Sequence, residues 1–304
     1  MINRKLTVLI DKEKCIGCGA CIPVCPAKNF SLKDGKAELS GAHSLHCGHC
    51  EAVCPTGAIS SSGVEEEAQN FKSFAFDKSW LSPDDCDINQ VVRLMGARRS
   101  CRDYTEEPVS RDILEDLVKA AIMAPSGTNS QRWTFTIIPD RESLLTLGKR
   151  IRTFFKKLNG LAESWLLRNG IKLLGQFQLD DYYKRYYKTI KEGIAESETK
   201  GADRLWHGAR AAIIVGSQAG ASCGQEDALL AAQNILLAAH SLGLGSCLIG
   251  FAVAAMGNDK AIQTSLGIPK EEKVYAVVAL GHTKEKYHLC AGRKMPLIRY
   301  WQKK

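Results

Sequence analysis

From residue 88 onward, the chain has stretches of apolar residues with the spacing of helices. After Ser110, a candidate N-cap, apolar residues recur every three or four positions as far as Ala121. The run ALLAAQNILLAA at 228–239 is apolar on nearly all sides and predicts a buried helix. Between residues 141 and 205, amphipathic and tyrosine-rich stretches at helical spacing predict further helices.

Strands are predicted between and after these helices. TFTIIP at 134–139 alternates apolar and polar residues, as a half-buried strand does. The continuous apolar runs at 209–218, 247–252 and 274–282 are typical of buried strands. Helices and strands follow one another without a regular β-α alternation, which predicts an α+β fold.

Composition places the chain among ordinary globular proteins and excludes some function classes. Its 304 residues suffice for two domains, and 45% are hydrophobic and 24% charged. The net charge is +8, but the basic residues are scattered, and no long basic stripe with aromatics indicates nucleic-acid binding. The N-terminal residues lack the apolar core of a signal peptide, and the apolar runs are too short to span a bilayer. The sequence therefore predicts a cytoplasmic protein without a membrane span.

Cysteines dominate the chemistry of the N-terminal part, since seven of the twelve lie in the first 54 residues. Without an export signal, this concentration favours metal ligation over disulfides. The first run has the spacing C-x2-C-x2-C-x3-C followed by Pro26, as in bacterial ferredoxins, and consists of Cys15, Cys18, Cys21 and Cys25. Zinc ribbons, the alternative, use paired C-x2-C motifs with a long spacer.

A second run repeats the end of the first, with CEAVCP beside CIPVCP. In this spacing the fourth cysteine of each run ligates the other cluster. The first 4Fe–4S cluster is therefore predicted on Cys15, Cys18, Cys21 and Cys54. The second is predicted on Cys25, Cys47 and Cys50, with Ser44 where a fourth cysteine would stand.

Several explanations remain open for position 44. Ser44 could ligate the fourth iron as an alkoxide, or the site could hold a three-iron cluster. His43 or His46 could replace a thiolate, and the distant Cys86 could supply one. Because serine occupies the register position, Ser44 ligation and the three-iron cluster are favoured over the histidines.

The chain divides into a ferredoxin-like domain at 1–62, a linker at 63–87 and a second domain at 88–304. The linker begins polar and acidic, but it carries apolar aromatic residues that predict packing against the second domain. These residues are Phe71, Phe74, Phe76 and Trp80.

Ordered motifs in the second domain resemble the nitroreductase family of FMN enzymes. They are RRSCRDY, APSGTNSQRW, LGLGSCLIGF, ALGH and GRKMP, and they span roughly residues 88–300. The whole chain resembles a ferredoxin-fused nitroreductase. The resemblance implies an α+β fold, a domain-swapped homodimer with one FMN in each of two interface sites, and a helical cover formed by 141–205.

The resemblance also assigns residues to FMN. Two guanidinium groups and a hydroxyl on one turn suit a phosphate dianion, and the basic turn contains Arg98, Arg99, Ser100 and Arg102. A second basic cluster matches Arg293 and Lys294, with either one reaching the phosphate. The ring would contact a tight loop with Pro125, Ser126, Gly127, Asn129 and Gln131. Ile249 and Gly250 match the segment that presents a backbone N–H to flavin N5. No catalytic acid or base is predicted.

The predicted function is an FMN-dependent oxidoreductase. Electrons would come from the iron–sulfur clusters, NAD(P)H or a ferredoxin and pass to an organic acceptor such as a nitroaromatic, a quinone or an activated alkene. The alternative is a redox relay or sensor that passes electrons to a partner protein. An open cleft over the flavin would favour the enzyme, and a cleft sealed by 141–205 would favour the relay.

Overall fold

The computed structural model describes residues 4–62 and 65–302. The predicted domains and linker extend slightly beyond these ranges. Residues 1–3 of the ferredoxin-like domain, 63–64 of the linker and 303–304 of the second domain lie outside the described residues. None of the helices in the described ranges is long and apolar enough to cross a membrane.

The N-terminal domain consists of short paired strands around the cysteines. Its elements are β1 (Arg4–Lys5), β2 (Val8–Ile10), β3 (Phe30–Lys33), β4 (Lys36–Leu39), β5 (His43–Ser44), α1 (His49–Ala52) and β6 (Ile59–Ser61). The antiparallel pairs are β1 with β5, β2 with β6, and β3 with β4. Val8, Phe30 and Ile59 are buried with three of the cysteines in a common core. The fold thus gathers the cysteine loops around a very small apolar centre.

The linker is ordered, but its aromatic residues do not pack as predicted. The Phe71 ring packs at a tilt against Phe74 and edge-on against Phe76, with ring centroids 4.6 and 5.2 Å away. Phe74 and Phe76 remain about two-fifths exposed, and Trp80 is 87% exposed. The prediction that all four rings pack against the second domain is therefore wrong for Trp80, whose ring is exposed. The phenylalanines shield mainly one another.

Polar contacts hold the linker instead. Asp116, on the helix α3 (Arg111–Ala121), is almost completely buried. Its Oδ2 accepts hydrogen bonds from the backbone N–H groups of Lys72 and Ser73 at 2.8 and 2.6 Å and from the Ser73 hydroxyl at 2.7 Å. The Lys119 ammonium donates to Asn70 O and lies 3.4 Å from Asp116 Oδ1. One buried carboxylate therefore anchors the linker to the second domain.

The second domain is built from helices and one sheet. Besides α3, its elements are α2 (Ile88–Ala97), β7 (Trp133–Ile138), α4 (Arg141–Glu163), α5 (Trp165–Leu173), α6 (Gln178–Tyr182), α7 (Lys188–Lys200), β8 (Ala211–Ser217), α8 (Gly224–Ser241), β9 (Leu244–Leu248), α9 (Gly250–Asn258), α10 (Lys260–Thr264) and β10 (Lys273–His282). A π-helical turn at Tyr183–Tyr187 joins α6 to α7. Short 3-10 helices lie at Glu66–Gln69, Pro83–Asp85 and Gly127–Asn129.

The sheet has the antiparallel order β7-β8-β10-β9 and is covered on both faces. Alternate residues of β8 point to opposite sides: Ile213 packs in the core under α3 and α8, and Ile214 in the core under α4 and α9. Because both faces are buried, β8 and β10 read as continuous apolar runs. The α+β fold predicted from the sequence is observed.

Local signals placed most elements correctly and one incorrectly. Ser110 caps α3, and its hydroxyl accepts from Ile113 N at 3.3 Å. The strand predicted at 247–252 is instead β9 at Leu244–Leu248, followed by α9 from Gly250. A short apolar run does not distinguish a buried strand from the start of a buried helix.

Replacing Asp116 with Ala is expected to release the linker. The change leaves the buried donors of Lys72 and Ser73 without an acceptor, which should destabilise the fold by about 1–3 kcal/mol. Burial by itself raises the pKa of Asp116, but the hydrogen bonds from Ser73 and Lys72 outweigh it and hold the pKa below its usual range. The stabilisation should therefore be complete above pH of about 4 and decrease as the pH falls further.

Denaturant unfolding and limited trypsin digestion at the linker lysines would measure both effects. The matched control is Asp112→Ala, because this exposed carboxylate contacts only the Lys72 ammonium. It should change stability by less than about 1 kcal/mol. Equal effects of the two substitutions would show that Asp116 has no special role.

Candidate functional site

Four cysteines from both halves of the N-terminal domain line one small cavity. They are Cys15, Cys18, Cys21 and Cys54, the set that the spacing predicts for the first cluster. The Sγ of Cys15 accepts a hydrogen bond from Ala37 N at 3.4 Å, and this bond lowers the pKa of the thiol. A stabilised thiolate is the form that binds iron.

A second cavity is lined by the remaining predicted ligands, Cys25, Cys47, Cys50 and Ser44. The last cysteines of the two runs occupy equivalent environments. Cys25 Sγ accepts from Asn29 N at 3.4 Å, and Cys54 Sγ accepts from Ala58 N at 3.2 Å, four residues later in each case. The repeat in the sequence is therefore a repeat in the hydrogen bonding as well.

Position 44 places a hydroxyl, not an imidazole, at the second cavity. Ser44 Oγ accepts a hydrogen bond from His46 N at 3.0 Å. The His46 ring turns the other way, since its Nε2 lies 2.8 Å from Lys5 O. His43 is exposed in β5, and Cys86 is exposed in the linker, and neither lines this cavity.

The cysteine side chains line the two cavities, and they do not gather around the position of a single metal ion. Within residues 4–62 and 65–302, no three cysteine, histidine or carboxylate side chains are arranged to bind one metal ion. In a cubane each thiolate binds a different iron, so its four ligands stand around the cluster at a wider spacing. Four thiols around one small cavity fit an iron–sulfur cluster.

The predicted phosphate turn lies along the edge of the sheet beside β9. Ser100 forms a bridge with Ser246, and Cys101 N donates to Ser246 O at 3.0 Å. Within the described residues, the Nε atom of Arg98 is buried and has no hydrogen-bond partner. A buried guanidinium donor without an acceptor is rare, because desolvating it is unfavourable. An anion that accepted a hydrogen bond from Arg98 Nε would therefore fit this turn.

A cleft of about 1050 Å³ opens beside this turn. Arg102, Ile249 and Gly250 line it, so three of the predicted cofactor residues share one space. The Ile249 N–H is already used, since it donates to Val277 O at 2.8 Å. The Gly250 N–H belongs to the first turn of α9, where backbone donors have no helical partner, and a Cβ on Gly250 would meet nothing within 4 Å. Gly250 is thus the better N–H donor of the two.

The helical segment 141–205 forms the aromatic wall of the cleft. Phe155 lies edge-on to Phe251, with centroids 5.6 Å apart, and Tyr186 lies edge-on to the same ring at 6.0 Å. Tyr182 also faces the cleft, and its hydroxyl donates to Asn159 Oδ1 at 2.6 Å. Burial raises the pKa of Tyr182 to about 12, so the phenol is neutral.

The predicted ring loop lies elsewhere and contacts the N-terminal domain. Gly127 N donates to Asp227 Oδ1 at 2.8 Å, and Gln131 N donates to Ser126 Oγ at 3.0 Å. The side chain of Asn129 donates to His46 O at 2.8 Å. A Cβ on Gly127 would lie 2.7 Å from Cys223 Sγ, which explains the glycine. Neither this loop nor Pro125 lines the 1050 Å³ cleft.

The sheet separates the ring loop from the phosphate turn. The ring loop precedes Trp133, which pairs across β8 and β10 with Ser217 and Lys273. Ser100 lies beside Ser246 of β9, and Ser246 pairs with Leu280 of β10. The two sites are therefore about 24 Å apart along the strands and about 19 Å apart across them, because Ser100 lies one strand spacing beyond β9. A single FMN, with its ribityl chain of five carbons, does not reach both within one chain.

The second basic cluster lies in the irregular C-terminal segment. Arg293 and Lys294 are exposed, and Arg293 Nη1 donates only to Ala291 O and Gly292 O, at 2.8 and 3.0 Å. The same segment passes the phosphate turn, because Cys290 Sγ would lie 3.4 Å from a Cβ on Gly96. The segment that carries the cluster therefore contacts α2, just before the turn, and no contact of the described residues distinguishes Arg293 from Lys294.

Sequence reasoning missed three residues that shape these sites. Asp227 is buried and holds the ring loop, Arg4 contacts the same loop from β1, and His207 lines the cleft beside Arg102. A carboxylate near the start of a helix, a lone arginine before a strand and a histidine in a loop are all common. Only their placement in three dimensions distinguishes them.

Comparison with known proteins agrees with this architecture. Residues 95–282 match the model of the nitroreductase family, and residues 14–59 match that of a 4Fe-4S dicluster domain. The N-terminal part is 40% identical over 81 residues to a ferredoxin of Pyrobaculum islandicum, covering 26% of this chain and 75% of that protein. The predicted two-cluster iron–sulfur domain is thereby confirmed.

The second domain has relatives among flavin enzymes. An FMN reductase [NAD(P)H] of Bacillus subtilis is 27% identical over 204 residues, covering 64% of this chain and 66% of that protein. A crystal structure of a nitroreductase with bound FMN from Bacteroides fragilis is 28% identical, with a TM-score of 0.49, and covers 68% of this chain and 99% of that one. Because the nitroreductase family model matches more than half of the residues, the chain belongs to the nitroreductase family and carries a dicluster ferredoxin-type domain on its N-terminal side.

Proposed function

We propose that this nitroreductase-family protein is an FMN-dependent oxidoreductase. It passes electrons from its iron–sulfur clusters, from NAD(P)H or from both to an organic acceptor such as a nitroaromatic, a quinone or an activated alkene. The observation that carries the proposal is the buried Nε of Arg98, which has no hydrogen-bond partner among the described residues. It belongs to the turn whose Arg102 lines the 1050 Å³ cleft. The Bacillus subtilis relative is named an FMN reductase [NAD(P)H], which supports a flavin and a nicotinamide electron donor in this protein.

The residues at the turn fit the phosphate of FMN. A phosphate oxygen would accept from Arg98 Nε and remove its desolvation penalty. Arg102 and the Ser100 hydroxyl add donors on the same turn, and Arg99 adds positive charge there. Arg293 and Lys294 would add further positive charge from the C-terminal segment. When bound, FMN supplies both hydride and single-electron chemistry.

The chain's own residues would orient the flavin and its substrate. The Gly250 N–H, at the start of α9, is available to donate to ring N5. The aromatic wall of the cleft excludes water and suits a flat acceptor. Burial and the neighbouring Arg102 lower the pKa of His207, so its imidazole is neutral in this cleft at neutral pH.

The separation of the two half-sites supports a homodimer. One chain would bind the phosphate with Arg98, Ser100 and Arg102, and a second chain would supply the ring loop, Pro125 to Gln131. This division agrees with the domain-swapped dimer that the resemblance implies. The open cleft favours an enzyme over a relay, because a relay needs no space for a small-molecule acceptor.

The cavity linings support the ligand sets predicted from the sequence. The first cluster would bind Cys15, Cys18, Cys21 and Cys54, and the second Cys25, Cys47 and Cys50. Ser44 would either bind the fourth iron or border a three-iron cluster.

Replacing Ser44 with Cys is expected to complete the second set. The variant should contain about eight irons per chain, because a fourth thiolate then faces the cavity. If the wild type contains about eight irons and Ser44→Ala about seven, the Ser44 oxygen is a ligand of the fourth iron. If both proteins contain about seven irons, the second site holds a three-iron cluster. The control Ser60→Cys adds an exposed thiol outside both cavities and should leave the count unchanged. About four irons in the wild type would contradict a second cluster.

Replacing both Arg98 and Arg102 with Ala is expected to empty the flavin site. Losing two charge-assisted contacts to phosphate should raise the Kd for FMN at least about a hundredfold. Flavin content after purification and fluorescence titration of apoprotein measure this directly. Arg93→Ala, on an exposed position of the same helix region, should keep its flavin. Full flavin content in the double variant would refute the phosphate assignment.

An anaerobic titration with NADH, NADPH and a reduced ferredoxin, each alone, is expected to identify the donor. Flavin bleaching by a nicotinamide would mean that hydride enters at FMN. Bleaching only by ferredoxin, with the clusters first, would make the N-terminal domain the entry port. If none of the three reduced the flavin, the proposed function would be wrong.

A further inference from the structure

Every hydrogen bond between the described residues 4–62 and 65–302 ends on two residues of the ring loop. Arg4 Nη1 donates to Asn129 O at 2.7 Å, and its second amino group donates to Thr128 O. In return, Asn129 Nδ2 donates to His46 O at 2.8 Å and to Leu45 O at 3.2 Å. We call this set, formed by Arg4, Leu45, His46, Thr128 and Asn129, the interdomain joint.

On the N-terminal side, the joint belongs to the second cluster. Arg4 is paired with Ser44 in the ladder of β1 and β5. Leu45 lines the second cavity, and His46 immediately precedes Cys47. The backbone that surrounds the second cluster therefore touches the loop assigned to the flavin ring.

Both loops hold strained backbone at the joint. His46, Thr128 and Asn129 have φ values of 53°, 54° and 50°, in the left-handed region that favours glycine. This conformation is unfavourable for residues that carry a side chain. Their carbonyls are acceptors in the joint, so the hydrogen bonds across it help to stabilise the conformation of each loop.

The first cluster lies at the opposite, uncovered end. Cys18 is exposed, and Ile16 beside it is 65% exposed. Among the described residues, none from 12 to 22 makes a hydrogen bond or ion pair with residues 65–302. The N-terminal domain is thus attached by one end only.

We propose that Arg4 and Asn129 are positioning residues that fix the ferredoxin-like domain with its second cluster facing the flavin loop of the same chain. The inference rests on the proposed function and gives electron flow a direction. An external one-electron donor, such as a reduced ferredoxin, reduces the exposed first cluster, and the electron moves to the second. Two such electrons, delivered one at a time, and two protons from water reduce the flavin, and each cluster returns to its oxidised form.

This assignment changes the role of Asn129. Asn129 was predicted to contact the flavin ring as part of this loop, but here both donor bonds of its side-chain amide go to Leu45 and His46. The loop would therefore meet the ring through Ser126, Gly127 and Gln131, and Asn129 would connect it to the cluster.

The test is Arg4→Ala in the full holoprotein. After rapid anaerobic mixing with reduced ferredoxin, cluster bleaching should proceed at the wild-type rate. Flavin bleaching should slow at least about tenfold, because the loss of two donors releases the docked geometry. Lys5→Ala is the matched control: it removes the same charge from the same strand, and its exposed side chain makes no contact with the joint. A flavin phase as fast in Arg4→Ala as in the wild type would overturn the inference.

Two further measurements separate positioning from a general defect. Amide hydrogen exchange at 45–47 and 128–131 should accelerate in Arg4→Ala and not in Lys5→Ala, and equal exchange would count against the joint. Arg4→Lys should restore part of the flavin rate, since an ammonium reaches the same carbonyls without the fork of a guanidinium.

Salt dependence distinguishes the joint from simple electrostatic docking. Its acceptors are neutral carbonyls, so raising the ionic strength about tenfold should leave the wild-type flavin phase nearly unchanged. A steep loss of rate with salt would contradict the proposed bonds. If the wild-type flavin is reduced before the clusters, the proposed electron route through the N-terminal domain is wrong. If the clusters are reduced first but Arg4→Ala does not slow the flavin phase, only the role of the interdomain joint is wrong.

Discussion

Burial of the central sheet on both faces determines where everything else in the second domain can lie. β8 and β10 are covered by α3 and α8 on one side and by α4 and α9 on the other. With both faces occupied, functional residues are left at the strand ends and at the two edges. The basic turn lies beside β9, and the ring loop precedes β7 at the far edge. A flavin that needs both must bind between chains, so the layered core accounts for the interface site that we propose.

Two neighbours on opposite sides bind different polar groups of the ring loop. On one side, the buried Asp227 accepts from Gly127 N, and on the other, the second-cluster loop accepts from Asn129. Backbone in the left-handed region at three loop positions is stable only because both neighbours hold it. The same loop is thereby suited to bind a flat ring and to keep an iron–sulfur cluster close to it.

Attachment of the N-terminal domain is limited but specific. The linker is anchored by one buried carboxylate, Asp116, and the domain itself by Arg4 and Asn129. The linker aromatics Phe74, Phe76 and Trp80 remain partly exposed, so the linker is attached largely by polar contacts. Directional hydrogen bonds define an orientation, whereas apolar contacts alone would tolerate several. For a domain that, as we propose, presents one of its two clusters to the flavin, orientation matters more than affinity.

Much of this protein could be predicted from the sequence because its strongest signals are local. Cysteine spacing, the Ser110 cap and the apolar runs of β8 and β10 depend on neighbours along the chain. The cysteine spacing predicted the two-cluster domain, and the cap and the apolar runs predicted their elements. The apolar run after Cys247 was ambiguous, since buried strands and buried helix starts have the same composition. Long-range placement had no such signal. Only the tertiary structure showed that His46 turns away from the second cavity, that Asn129 faces the iron–sulfur domain, and that Arg4 meets a loop 125 residues away. These contacts arise from tertiary packing, and a single polar residue in the sequence does not indicate which distant residue it will contact.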